Sequence, residues 1–156
     1  MARNDMVIAA TPEQVWDVLA SPPTYADWVV GSSEIRSSDR DWPAVGCRFN
    51  HRVGFALLKI SDHTEVLECD PPRRLRLRAK ARPLGVAHVV LELEPDPEGT
   101  RVTMIENAGN RLTRLLFNPL THLLVRGRNF ESLRRLRDIV ERGDGSRRED
   151  LRATAA

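Results

Sequence analysis

Two neighbouring stretches of this chain alternate polar and apolar residues, RRLRLRAKAR at 73–82 from Arg74 onward and VAHVVLELEP at 86–95 apart from Val86 and Val90 on its polar side. Only an extended backbone sends successive side chains to opposite faces, so each stretch reads as a strand with one wet and one buried face. In the first, Arg74, Arg76, Arg78, Lys80 and Arg82 share one side, and Leu75, Leu77, Ala79 and Ala81 share the other. In the second, Ala87, Val89, Leu91 and Leu93 turn inward while His88, Glu92 and Glu94 turn outward. Pro83-Leu84-Gly85 supplies the turn between them, which makes an antiparallel hairpin and sets acids beside arginines on the outer surface. A chain with this hairpin is committed to a sheet covered on one side, and specific chemistry belongs on the covered side.

The basic stretch also raises nucleic acid as a partner, with a basic residue at six of the ten positions from 73 to 82. The whole chain argues against it: 24 Lys and Arg face 22 Asp and Glu, and no aromatic residue interleaves the arginines for base stacking. A salt-bridged outer surface is the simpler reading, and no nucleic-acid partner is expected. With 156 residues and 41% hydrophobic content, one core and one domain are expected, over 5–142, with a polar, disordered tail over 143–156. Cys47 and Cys69 are too few for a disulfide framework and lack zinc spacing, and His51, His63, His88 and His122 are scattered. No metal and no cofactor is expected. The chain shows no phosphate-binding glycine loop and no GxSxG elbow. No N-terminal apolar run has the length of a signal peptide or a membrane span, so a reducing cytoplasm is the expected setting.

The rest of the chain falls around the hairpin. Met6–Ala9 reads as a short first strand. Thr11, Pro12 and Gln14 then give an N-cap, a first-turn proline and a capping-box partner for the helix PEQVWDVLA. SPPTYADWV from Ser21 reads as a second short helix ending at Trp28. Strands follow at 33–38, 48–53 and 58–69, and after the hairpin a last strand runs from Gly99 through GTRVTMIENA. Asn118-Pro119 opens a helix of about 24 residues, roughly 36 Å long, which Gly143 is expected to end. A helix of that length can lie across the sheet and leave a hollow beneath it.

The phrases TPEQVWDVLASPPTYADWV, PAVGCRF, EVLECDPPRRLRLRA, GTRVTMIE and RNFESLRRLRDIVE together resemble the START-like, polyketide cyclase/dehydrase and lipid-transport superfamily (SRPBCC), over residues 5–141. The features that carry the resemblance are Val15-Trp16, Trp28, Gly46, Asp70-Pro71-Pro72 and Thr100-Arg101-Val102. It implies an α+β helix-grip fold: a curved antiparallel sheet of six to seven strands around a long C-terminal helix, with two short helices after the first strand. It also implies an internal cavity for an apolar ligand, and it leaves catalysis open.

Periodicity names the residues that would line such a cavity. Phe49, His51 and Val53 face inward, because Arg48, Asn50 and Arg52 belong in water. Leu77, Val89 and Leu91 face inward from the hairpin. Glu106 shares a face with Val102 and Met104 and so points the same way. On the long helix, Val125, Leu133, Leu136 and Val140 form a stripe that includes Asn129 and His122 when extended backward. Trp16 and Trp28 read as core anchors, Trp28 also walling the cavity, and Trp42 reads as a loop contact at its mouth. Glu106, His122 and His51 are the candidate acid–base groups, because burial and a Glu–His contact shift such groups in opposing directions. The bland alternative makes them rim residues and has Asn129 bonding a neighbouring backbone carbonyl.

Leu120, Leu123, Leu124 and Phe130 lie on another face of the same helix, and residues 111–117 could serve as a cover, a lid or an interface over it. Membrane contact and a monomer or homodimer both stay open, with cover favoured over docking. Three functions fit these readings. The leading one is a carrier or sensor of a lipid- or polyketide-like hydrophobic small molecule. The second is a polyketide aromatase/cyclase-type enzyme using Glu106 or a cavity histidine. The third is a protein-interaction module that offers its basic outer face.

Overall fold

The computed structural model describes residues 1–55, 58–81, 85–108 and 119–154, with side chains for 1–32, 34–51, 63–80, 85–107 and 123–143. The chain runs β1 (Ala2–Ile8), α1 (Pro12–Leu19), a 3-10 turn (Pro22–Thr24), α2 (Tyr25–Trp28), β2 (Ser32–Ser38) and β3 (Arg48–Phe55). It continues through β4 (Leu58–Asp70), β5 (Arg74–Ala81), β6 (Gly85–Asp96) and β7 (Gly99–Ala108) to the long helix α3 (Pro119–Thr154). All seven strands form one antiparallel sheet in the order β1-β7-β6-β5-β4-β3-β2.

This order puts β1 and β2 at opposite edges, so the chain must cross the whole sheet between them. It does so through α1 and α2. Helix α1 begins with the full capping box: Gln14 N–H donates to Thr11 Oγ1 at 3.3 Å, and Thr11 N–H donates to Gln14 Oε1 at 2.8 Å. Helix α2 packs against β2 and also against α3, and α3 in turn lies along β1. Through α2, the long helix is linked to the edge opposite β1, and the helical layer spans the sheet. Tyr25 and Trp28 of α2, Val15, Trp16 and Leu19 of α1, and Leu133, Leu136 and Val140 of α3 join the inward strand residues in one hydrophobic core.

The outer face carries the arginines of β5, each with an acidic partner. Arg74 meets Glu92 at 2.7 Å and Glu68 at 3.2 Å, Arg76 meets Glu68 at 2.6 Å, and Arg78 pairs with Glu65. Glu92 is the partner expected from β6, but Glu65 and Glu68 come from β4. Three positions apart, they should face opposite sides of a regular strand. A register shift between Val66 and Glu68 restores them to one face. The basic face proposed for protein partners is thus largely neutralised by its own neighbours.

Three expectations are corrected here. The first strand starts at Ala2, not Met6, because its pairing with β7 extends to Ala2 opposite Glu106. Trp42 is not a loop contact at a mouth but a core residue at 8% exposure, with its indole edge-on to Tyr25 and Phe49. Gly143 does not end α3, which runs on to Thr154. An interior glycine costs a helix only about 1 kcal/mol, and no proline follows to force a stop. The Pro83-Leu84 turn residues and the 111–117 segment lie outside the described residues.

Candidate functional site

The register of the sheet sorts its inward face into rows. Asn4, Met104, Leu91, Leu75 and Cys69 lie side by side across β1, β7, β6, β5 and β4. The next row is Ala2, Glu106, Val89, Leu77 and Val66, and the one after it contains Ala87, Ala79, Thr64 and Phe49. Packing changes along these rows. On β6, Leu93 and Leu91 are buried against the core, while Val89 and Ala87 on the same face stay partly exposed. On β5, Leu75 and Leu77 are buried and Ala79 is partly exposed. The face is closed toward α1 and loosens on β5 and β6 at Ala79, Ala87 and Val89, while Thr64 and Phe49 in the same row are buried.

Helix α3 follows the same division. Its contacts run chiefly to β1, α2 and α1, with fewer to β7. Two polar ties fix its course over β1: Asn4 Nδ2 donates to the Arg126 carbonyl at 3.2 Å, and Ala9 N–H donates to Glu141 Oε1 at 3.0 Å. The stripe of Leu133, Leu136 and Val140 therefore sits over the closed part. Asn129 and the partly exposed Val125 continue the stripe toward the looser end.

Glu106 sits where the two regimes meet. It faces inward as the period required and is buried at 4% exposure. A buried charge needs a partner, and here the partner is Arg128 of α3, whose Nη2 donates to Glu106 Oε2. The same Nη2 donates to Asn129 Oδ1 at 3.1 Å, and Arg128 Nε reaches that oxygen at 3.4 Å. Asn129 itself is 1% exposed, and its Nδ2 meets no acceptor among the described residues. Asn129 accordingly accepts a bond from Arg128 and does not tie the helix to a backbone carbonyl. One turn on, a different bond ties the helix to the chain before β2: Ser132 Oγ accepts from Val30 N–H at 3.1 Å.

The other candidate acid–base group, His51, is buried at 6% on the inward face of β3, its ring 5.4 Å from that of Phe49. Three strands separate β3 from β7, about 19 Å along the sheet. The carboxylate of Glu106 is engaged by the guanidinium of Arg128. The side chain of His122 lies outside the described residues.

Phe49 and His51 end an aromatic wall that includes Tyr25, Trp28 and Trp42. Tyr25 is its hub, with ring centroids 4.9 Å from Trp28 and 4.8 Å from Phe49. Burial pushes the Tyr25 phenol far above its ordinary range, so it stays a neutral donor to the Leu19 carbonyl at 2.8 Å. Trp28 Nε1 is buried with no acceptor among the described residues. Leu77, Leu91, Met104 and Leu133 all belong to the packed core, and Val89 borders it.

Periodicity missed Arg128 because it lies beside the apolar stripe and reaches inward only through its long side chain. It missed Tyr25 as the hub because a four-residue helix carries too little pattern. Leu123, Leu124 and Phe130 stand exposed on the far face of α3. No helix among the described residues is long and apolar enough to cross a membrane.

Comparison with known proteins accords with this architecture. The chain is similar over nearly its full length to protein MLL2253 from Mesorhizobium loti, at 20% identity and a TM-score of 0.67, covering 90% of this chain and 96% of that one. A Staphylococcus aureus protein, SA2116, superposes with a TM-score of 0.71 at 10% identity, over 92% of this chain and 94% of its own. An AHSA1-like protein from Aeromonas hydrophila gives 0.66 at 20% identity, over 91% and 92%. These likenesses establish the helix-grip fold. No curated protein matches the sequence significantly. The profile described as polyketide cyclase / dehydrase and lipid transport matches residues 2–141. The chain therefore belongs to the polyketide cyclase/dehydrase and lipid-transport family.

Proposed function

We propose that this protein binds a hydrophobic or aromatic small molecule, lipid- or polyketide-like, between the sheet and α3, and acts as its carrier or sensor. The observation that carries this reading is the loosening of the inward face. Val89, Ala87 and Ala79 are inward-facing yet partly exposed, while α3 takes its main contacts from β1 and the short helices. A filled interior at crystal-like density would bury these residues as it buries Leu91 and Leu75. An apolar guest released from water onto this face would be favoured by about 25 cal/mol for each Å² it covers.

The polar groups suit orientation more than proton transfer. Glu106 is held by the guanidinium of Arg128. The family's name admits both transport and cyclase chemistry, and this pairing favours the carrier. Cys47 and Cys69 are free thiols, which supports a reducing, cytoplasmic setting.

Native mass spectrometry of gently purified protein tests the reading. A fraction of the chains should carry a retained small molecule of a few hundred daltons, lost on denaturation. Chains that show only the bare mass, and gain none when incubated with apolar compounds, would contradict it.

A further inference from the structure

We infer that Glu106 is a charge filter: by neutralising Arg128, it makes the polar end of the ligand site accept neutral carbonyl oxygens and reject carboxylates. This inference rests on the apolar-ligand reading above and adds the ligand's functional group. The amide of Asn129 is held from one side only. Its oxygen is fixed by two donors of Arg128, Nη2 at 3.1 Å and Nε at 3.4 Å, so the nitrogen is turned away from the guanidinium. That nitrogen belongs to a side chain that is 1% exposed, and no acceptor meets it among the described residues. A buried N–H left unmade is unfavourable, and a ligand oxygen placed against it removes the penalty.

The charge of the surroundings decides which oxygen. Without Glu106, the guanidinium beside Asn129 would draw carboxylates, as arginines generally do. With Glu106 on the same Nη2, the local charge sums to zero, and an arriving carboxylate meets a buried anion within the span of a single guanidinium. Like charges at that range repel, an effect that water at the half-exposed Arg128 side chain reduces but does not remove. A ketone, ester or amide carbonyl accepts the Asn129 bond without that repulsion. A plain hydrocarbon leaves the amide unpaired. Trp28 Nε1 is a second buried donor in the same condition, on the helix packed against α3. The geometry therefore selects an apolar body with neutral oxygen acceptors over a free fatty acid.

The test is competition against Nile red, using dodecanoate and its methyl ester at a pH where the acid is fully ionised. The wild type should prefer the ester by about tenfold. Glu106→Gln should shift the preference toward dodecanoate by about tenfold or more, and Arg128→Gln should shift it the opposite way. These opposite signs keep the test decisive should one variant fail to fold. Asn129→Leu should weaken the ester about fivefold relative to dodecane, which offers no oxygen to the amide. A wild type that binds dodecanoate as well as the ester, or a Glu106→Gln variant with unchanged preference, overturns the charge filter and leaves the apolar-ligand reading standing. A wild type that takes up neither Nile red nor either competitor overturns both.

Discussion

Glu106 on β7 and Arg128 on α3 form an ion pair in which the carboxylate is buried at 6% side-chain exposure and the guanidinium stays 43% exposed. The pair is asymmetric, and so are the consequences of breaking it. Arg128→Ala strands a buried charge, and the loss should be about 2 kcal/mol, below the 3–5 kcal/mol of a wholly buried pair because water reaches the arginine side. Replacing both partners with apolar residues, as in Glu106→Leu with Arg128→Met, should recover most of that loss. Urea denaturation of the two variants measures the difference.

The Leu19 carbonyl at the end of α1 accepts from Tyr25 Oη at 2.8 Å and from Trp42 Nε1 at 3.3 Å. Either donor alone keeps the buried oxygen satisfied. Tyr25→Phe should cost about 1 kcal/mol. Tyr25→Phe combined with Trp42→Phe should exceed the sum of the single losses by about 1 kcal/mol, because only then is the carbonyl left without a side-chain donor. A double-mutant cycle by thermal or urea unfolding tests this, and strict additivity would contradict it.

Gly99 turns β6 into β7 at φ +137°, a region closed to side chains. A Cβ there would sit 2.1 Å from the Ile8 carbonyl oxygen, a backbone atom held in β1. Gly99→Ala should therefore lower stability by about 2–3 kcal/mol. Gly46 also has positive φ, at +88°, but a Cβ there meets nothing within 4 Å, so Gly46→Ala should cost less. The ranking of the two variants by urea midpoint is the check.

His88 stands on the outer face beside the arginines of β5. Burial, then the charges of Arg76 and Arg78, push its imidazole below the ordinary value of 6.5. The unfolded chain therefore takes up this proton at a higher pH than the folded one does. Stability should fall as pH drops below 6.5, until the folded-state imidazole also titrates. In His88→Gln that part of the loss should vanish. Unfolding free energies measured from neutral pH down to the onset of acid unfolding give the comparison, and parallel curves for the two proteins would contradict it.

The inward face was readable in the sequence wherever strands are regular. Period two alone put Leu77, Val89, Leu91, Met104 and Glu106 on one side, and the register aligns them as neighbours. Parity fails at an irregularity, and Glu68 joined Arg76 only through the register shift in β4, which no local composition marks. The helix stripe likewise gave Asn129 but not Arg128, since a long side chain acts away from the face of its own Cα. Trp42 was misplaced because a loop residue has no period, and its burial is decided by the fold-back of 39–48 onto α2 and β3. Gly143 carries a stop signal that the helix overrides, because helices tolerate glycine when nothing else ends them.

The proposed hollow beneath α3 is tested most directly by placing a bulky side chain where it would lie. Ala87→Phe puts a ring on the small-residue row of the inward face, and Nile red titration with a parallel melting curve reads the outcome. The account predicts saturable uptake by the wild type, loss of that uptake in Ala87→Phe, and a melting temperature within a few degrees of the parent because the ring enters open space. Wild-type protein without saturable uptake, or an Ala87→Phe variant destabilised like an overfilled core, would contradict it.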